Sequence, residues 1–242
     1  MTYDQTEFDI RCEWGPPGVA VLAPVSDAII IVDVMSFTSC VSVAVSRGAF
    51  VYSYRFRDKS ALEFAKSVEG LLAGPRGSGG YSLSPASLID LPKGTRLVLP
   101  SPNGSSLSLM TGQTPTFAGC LRNCAVVAKA AMSCGQRVSV IPAGERWPDD
   151  QTLRPSVEDL VGAGAIIDYL GGSRSPEAEI AVAAYHGIRK NLPGYLDQCS
   201  SGKELISKGF QEDIAVIAEL NADIAAPFLS EGKYIAYDMQ GN

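Results

Sequence analysis

The stretch Ala28-Ile29-Ile30-Ile31-Val32-Asp33-Val34-Met35-Ser36-Phe37-Thr38-Ser39-Cys40 decides the reading of this chain. Its apolar run is β-branched and too short to span a bilayer, so it predicts a central strand covered on both faces. Asp33 then falls at the carboxyl end of that strand. Open α/β sheets bind ligands beyond those ends, and the segment from Thr38 to Ser46 predicts a helix whose first N–H groups could face an anion. Asp33 therefore reads either as a metal or phosphate residue or as a cap for the following turn, and strand position alone does not separate the two.

Working outward, Phe8–Cys12 and Val19–Ala23 read as edge strands joined by a turn at Gly15-Pro16-Pro17-Gly18. Ala49–Tyr54 predicts a strand, and Asp58 caps a helix running to about Val68. Residues 74–87 are too rich in Gly, Pro and Ser for regular structure, and a loop that long inside a compact domain is often functional. Arg96–Pro100, Thr116–Ala118 and Arg137–Pro142 predict further strands, with a short helix after Ser101–Ser106 and a longer one over Asn123–Ser133. Helices follow over Glu158–Leu170, where Ala163-Gly164-Ala165 permits close packing, and over Pro176–Lys190, Gly202–Lys208 and Gln211–Leu220. A strand near Tyr234–Tyr237 closes the sheet. The order is that of an α/β protein: three layers, α/β/α, around a mainly parallel or mixed sheet, as a single domain over residues 1–242.

The chain has 242 residues, 46% of them apolar, with a net charge of −6 and no Lys/Arg cluster. That composition supplies a sizeable core and argues against nucleic acid or anionic membrane as the main partner. No signal-like N-terminus and no run near the roughly 20 residues of a membrane span occur, so the expectation is a cytoplasmic protein. Six cysteines lack the paired spacing of zinc sites, and only one histidine, His186, is present. Free buried thiols and a helix-end or surface histidine are expected, and multi-histidine metal centres are excluded.

Three strand ends carry polar turns: Asp33 with Ser36 and Thr38; Ser101 with Asn103-Gly104-Ser105; and Ala143-Gly144-Glu145. If the strands are neighbours, these turns line one crevice in which backbone N–H groups could cradle phosphate and Asp33 could bind a divalent cation. Arg76, in the Gly-rich loop, is either a fork for phosphate or sulfonate or a solvated side chain. Glu158 and Asp159 open a helix, where acids suit the macrodipole and could also bind Mg²⁺. The glycines of residues 74–80 match neither the dinucleotide fingerprint nor the Walker A spacing. A haloacid-dehalogenase-type phosphatase needs a second acid two residues after Asp33, and Met35 stands there.

These landmarks, Val32-Asp33-Val34 with Thr38, Arg47-Gly48-Ala49, Pro102-Asn103-Gly104-Ser105, Pro142-Ala143-Gly144 and Ser156-Val157-Glu158-Asp159, occur in an order that resembles the 2-phosphosulfolactate phosphatase family. Ala163-Gly164, Ser207-Lys208-Gly209 and Asp213-Ile214 continue the likeness, which runs from about Ile29 to Pro227. The resemblance implies a Mg²⁺-dependent enzyme that hydrolyses 2-phospho-3-sulfolactate to sulfolactate and phosphate, a step of coenzyme M synthesis. It implies Asp33, Thr38 and Asn103 as catalytic residues and Asp33, Glu158 and Asp159 as metal ligands. Ser36, Arg76, Asn103, Gly104, Ser105 and Gly144 would bind the small anionic substrate, and a homodimer is the assembly left open. The chain departs from the family at Ser36, which replaces an arginine, at Pro75, which replaces a glutamate, and over Gly80-Tyr81-Ser82-Leu83-Ser84-Pro85-Ala86-Ser87, which loses an aspartate. The rival reading is an inactive anion-binding protein on the same fold, and a structural module is a third.

Overall fold

The computed structural model describes residues 3–239, so the ends of the expected 1–242 domain lie outside the described residues. Its strands are β1 (Ile10–Cys12), β2 (Ala28–Val32), β3 (Phe50–Tyr54), β4 (Leu71–Leu72), β5 (Arg96–Pro100), β6 (Thr116–Gly119), β7 (Val138–Pro142), the short pair β8 (Glu145–Arg146) and β9 (Leu153–Arg154), then β10 (Pro227–Ser230) and β11 (Lys233–Ala236). Nine of them form one sheet in the order β1-β7-β2-β6-β10-β11-β3-β5-β4. Within the sheet β1, β7, β2 and β6 run parallel, as do β3, β5 and β4. The antiparallel hairpin β10–β11 joins the two parallel blocks, pairing with β6 on one side and β3 on the other.

The strand expected near Tyr234–Tyr237 is β11, and the hairpin it forms with β10 sits inside the sheet, between the two parallel blocks. Glu231 and Gly232 both take positive φ at its turn, as a two-residue hairpin of the correct twist requires. Phe228 seats its ring against Phe117 and Tyr237, both at 5.2 Å.

The helices are α1 (Gly15–Leu22), α2 (Phe37–Ser46), α3 (Lys59–Ser67), α4 (Gly104–Ser108), α5 (Cys124–Met132), α6 (Val157–Ile167), α7 (Pro176–Ile188), α8 (Leu192–Gln198), α9 (Ser200–Ser207) and α10 (Gln211–Ile217). The alternation of β2 assigns the layers. Ala28, Ile30 and Val32 pack with residues of α5, α6 and α7, while Ile29 and Ile31 pack with Val19 and Leu22 of α1 and Leu107 of α4. Both faces of the strand are thus covered, and the fold is a three-layer α/β arrangement around a mixed, mostly parallel sheet.

Helix α1 corrects the edge strand expected at Val19–Ala23 and the turn before it. Pro16 and Pro17 fall in its first turn, where a missing N–H costs nothing, and Val19 and Leu22 share one buried stripe. Helix α2 is buried along its length and ends at Gly48, whose φ of 79° provides the left-handed step that stops it. Asp58 caps α3, accepting the Ser60 N–H at 2.9 Å. The Gly164 expectation has a physical counterpart: a Cβ there would lie 1.9 Å from the Ala181 carbonyl of α7.

The short edge strand β4, the β8–β9 ribbon, helix α8 and strand β10 went unread. β10 opens on a proline, which disguises a strand. Among the described residues no helix is long and apolar enough to cross a membrane.

Candidate active site

Strand β2 delivers Asp33 to the end of the sheet with only 6% of its surface exposed. Its Oδ1 accepts the Phe37 N–H at 3.2 Å, at the start of α2, and its Oδ2 accepts the Gly104 N–H at 2.8 Å, at the start of α4. The two readings of Asp33 describe one carboxylate, which fastens two helix starts and also lines a cleft of about 480 Å³. Burial pushes its carboxyl up to about 6, and Glu158 adds to the rise against the two N–H donors.

Thr38 is fully buried and spends its hydroxyl on the same residue, donating to the Asp33 carbonyl at 2.8 Å and accepting the Asp33 N–H at 3.0 Å. Ser105 likewise turns away, donating to the Leu99 carbonyl at 3.1 Å. Gly144 directs its N–H to Asp159 Oδ2 at 2.9 Å. The crevice expected from the three turns is present, but the N–H groups of Gly104 and Gly144 serve the protein's own carboxylates and not an open anion nest.

Asp159 is 3% exposed. Besides Gly144 it holds the Val34 N–H at 2.7 Å and the Ser156 hydroxyl at 2.9 Å. Three donors from three segments converge on it, so it clasps the ends of β2 and β7 to the start of α6. Glu158, 2% exposed, lies beside Cys199; burial first and then this acid push that thiol up to about 12.

Two more acids line the cleft with Asp33: Glu204, paired with Lys208 at 2.5 Å, and Glu145. Burial, then Asp33 and Glu158, push its carboxyl up to about 8, and Asn103 opposes the rise by donating from Nδ2 to its Oε2 at 2.9 Å. Sequence reading marked the Ala143-Gly144-Glu145 turn without singling out this acid; the signal was its place at a third strand end, beside Asp33 and Asn103.

Arg76 lines the same cleft. Its Nη2 donates to Ser36 Oγ at 2.7 Å, its Nη1 pairs with Asp213 at 2.6 Å, and its guanidinium lies 5.6 Å from the Phe210 ring centre. Asp213 also accepts from the Ser84 hydroxyl and the Ala86 N–H, so it anchors both ends of the Gly-rich loop. Arg57 and Lys208 line the same cleft and were not foreseen, since both look like ordinary surface charges in the chain.

A Mg²⁺ ion suits the donor chemistry. It takes hard oxygens, commonly one or two carboxylates, with water and substrate completing its shell. Asp33 and Glu145 are two such groups in one cleft, and the charge of Asp33 adds to the rise of Glu145. Among the described residues no three acidic, histidine or cysteine side chains converge on one point, so a site built wholly of protein ligands is not formed.

Comparison with known proteins gives this cleft a context. The profile of the 2-phosphosulpholactate phosphatase family matches residues 20–232. A probable 2-phosphosulfolactate phosphatase of Carboxydothermus hydrogenoformans is 30% identical, over 86% of this chain and 89% of its own. One from Gloeobacter violaceus is 28% identical, over 83% of this chain and 87% of its own. The matched span contains the strand ends that build the cleft, at Asp33, Asn103 and Glu145, and also Asp213 of α10, and the chain belongs to the 2-phosphosulpholactate phosphatase family, a group of phosphoric monoester hydrolases.

Proposed function

We propose that this chain is a Mg²⁺-dependent phosphatase of small phosphorylated hydroxy acids, with 2-phospho-3-sulfolactate, the compound named in its relatives, as a substrate. One observation carries the reading: a single cleft is lined by the acids Asp33 and Glu145 and by the cations Arg76, Arg57 and Lys208. Uncompensated buried acids attract a divalent cation, and arginine forks bind oxyanions. Such a cleft holds a phosphate at one wall and the remaining anionic groups of the substrate at the other.

Asp33 and Glu145 would hold the metal, and Asn103 orients Glu145. When bound, Mg²⁺ polarises the phosphoryl group and neutralises its growing charge. Arg76, fixed by Ser36 and Asp213, grips an acid group of the substrate and sets the phosphorus for in-line attack. Water forms the new P–O bond, the ester P–O bond breaks, and the leaving alkoxide oxygen takes up a proton. Thr38, Glu158 and Asp159 act through Asp33, by fixing its backbone, deepening the negative field and clasping the loop beyond it.

The test is phosphate release from 2-phospho-3-sulfolactate with Mg²⁺ or with a chelator, beside Asp33→Asn. Release that needs the metal and vanishes in the variant is expected. Saturable binding without release, unchanged by chelator, would instead make this an anion-binding protein.

A further inference from the structure

Arg76 enters the cleft from a Gly-rich loop without regular structure around it, so its aim is set from outside that loop. Ser36 and Asp213 hold the two tips of its fork. A third neighbour, Phe210, forms no hydrogen bond with it: the guanidinium carbon stands over the Phe210 ring, 5.6 Å from its centre. The turn that delivers this ring is tightly built. Helix α9 ends at Gly209, whose φ is 83°; the Gly209 N–H donates to the Ile206 carbonyl and the Phe210 N–H to the Leu205 carbonyl, both at 2.9 Å. That pair of bonds is the Schellman stop, which reverses the chain at the glycine and fixes the residue after it. The Asp213 N–H then donates to the Phe210 carbonyl at 3.1 Å, so the first turn of α10 locks the ring to the carboxylate that pairs with Arg76. The loop rests on the same ring just past the arginine, where a Cβ at Gly77 would lie 3.7 Å from Phe210 Cε1 and Cζ.

An aromatic ring attracts a guanidinium without accepting one of its N–H groups in a hydrogen bond. The donors not given to Ser36 and Asp213 therefore stay available to an oxyanion. We propose that Phe210 is a positioning residue for substrate binding, acting through Arg76: its ring holds the guanidinium in the orientation that grips the anion. The inference rests on the reading above in which Arg76 holds an acid group of the substrate.

The experiment measures calorimetric binding of 2-phospho-3-sulfolactate in chelator, and KM and kcat for phosphate release with Mg²⁺. Wild type is run beside Phe210→Leu, Phe210→Tyr, Arg76→Met and the double variant Arg76→Met/Phe210→Leu, with a thermal melt of each. Phe210→Met repeats the leucine measurement, so that the result does not hang on one variant folding. Phe210→Leu is expected to raise Kd and KM about fivefold. Its kcat should stay within about twofold of wild type. Phe210→Tyr keeps the ring and should match wild type, and adding Phe210→Leu to Arg76→Met should change neither Kd nor kcat/KM. Wild-type Kd and KM in folded Phe210→Leu or Phe210→Met overturn the inference and leave the phosphatase reading standing. An equal loss with and without Arg76 also overturns it, because the ring then acts on the loop or the substrate directly. Binding that follows the expected pattern without phosphate release supports the role of Phe210 and overturns the phosphatase reading alone. Neither binding nor release in wild type overturns both.

Discussion

Asp159 Oδ1 accepts the Val34 backbone N–H at 2.7 Å, so an acid 125 residues downstream holds the residue next to Asp33. Its other oxygen takes Gly144 and Ser156, which leaves little free coordination for a metal. The first consequence concerns Asp159→Asn. An amide has one acceptor oxygen, so one backbone N–H would face an NH₂ group in a buried site. The expected cost is about 2 kcal/mol in urea denaturation. The Mg²⁺ concentration for half-maximal activity should move only a fewfold, whereas Asp33→Asn should abolish the metal response; equal shifts in the two variants would place Asp159 among the metal ligands.

The acids make stability pH-dependent. Folded, Glu145 holds its proton to about pH 8 and Asp33 to about pH 6, while unfolded carboxyls release theirs near 4. Between about pH 4 and 8 the folded state therefore binds more protons than the unfolded state, and stability falls as pH rises. The groups that set this field are Asp33, Glu145, Glu158 and Asp159, with Arg154 opposing at Glu145. In chelator Tm should therefore fall steadily across that window. Glu145→Gln should remove most of the decline above pH 6, and Mg²⁺ should raise Tm more at pH 8 than at pH 5. A Tm profile indifferent to both would remove Glu145 from the metal site.

Arg76 tests the cationic wall. Arg76→Lys keeps the charge but cannot hold Ser36 and Asp213 with one planar fork, as Nη2 and Nη1 do at 2.7 and 2.6 Å. A rise of about tenfold in KM with kcat changed less than about threefold is expected, since the lost contact grips the part of the substrate that does not react. An unchanged KM would mean that Arg57 and Lys208 bind the anion without it.

How far this site could be read from the chain follows from which forces are local. Asp33 was legible because an apolar run that stops at a carboxylate is a nearest-neighbour signal. The strand-end turns at Asn103 and Gly144 were legible for the same reason. The partners of an acid are a different matter: Asp159 looks like any first-turn acid until β2 and β7 bring Val34 and Gly144 to it. Glu145 gains its role from burial between two strand ends, and Arg57 and Lys208 gain theirs from loops folding back over the sheet. The strand near Tyr234 was legible, but its partner β10 and the place of the hairpin between β6 and β3 were not, because long-range pairing decides them.

Gly104 gives the sharpest test of how the acid is held. A Cβ there would lie 2.3 Å from Phe37 Cδ1 and 2.7 Å from Asp33 Oδ2. The Phe37 ring is fully buried and meets Tyr234 edge-on at 6.2 Å, so it has nowhere to retreat. Gly104→Ala must therefore push α4 or the Asp33 carboxylate, and with it the Gly104 N–H that orients Oδ2. Overpacking of this kind costs about 1–3 kcal/mol. A displacement near 1 Å at a reacting group costs up to about a hundredfold in rate. The expected result is a drop in kcat of at least about tenfold, with measurable destabilisation. Gly187→Ala is the control: it lies in α7 with open space around its Cβ and should leave kcat unchanged while gaining up to about 1 kcal/mol from helix propensity. Wild-type kcat in Gly104→Ala would show that Asp33 tolerates displacement, and would take it out of the reacting centre.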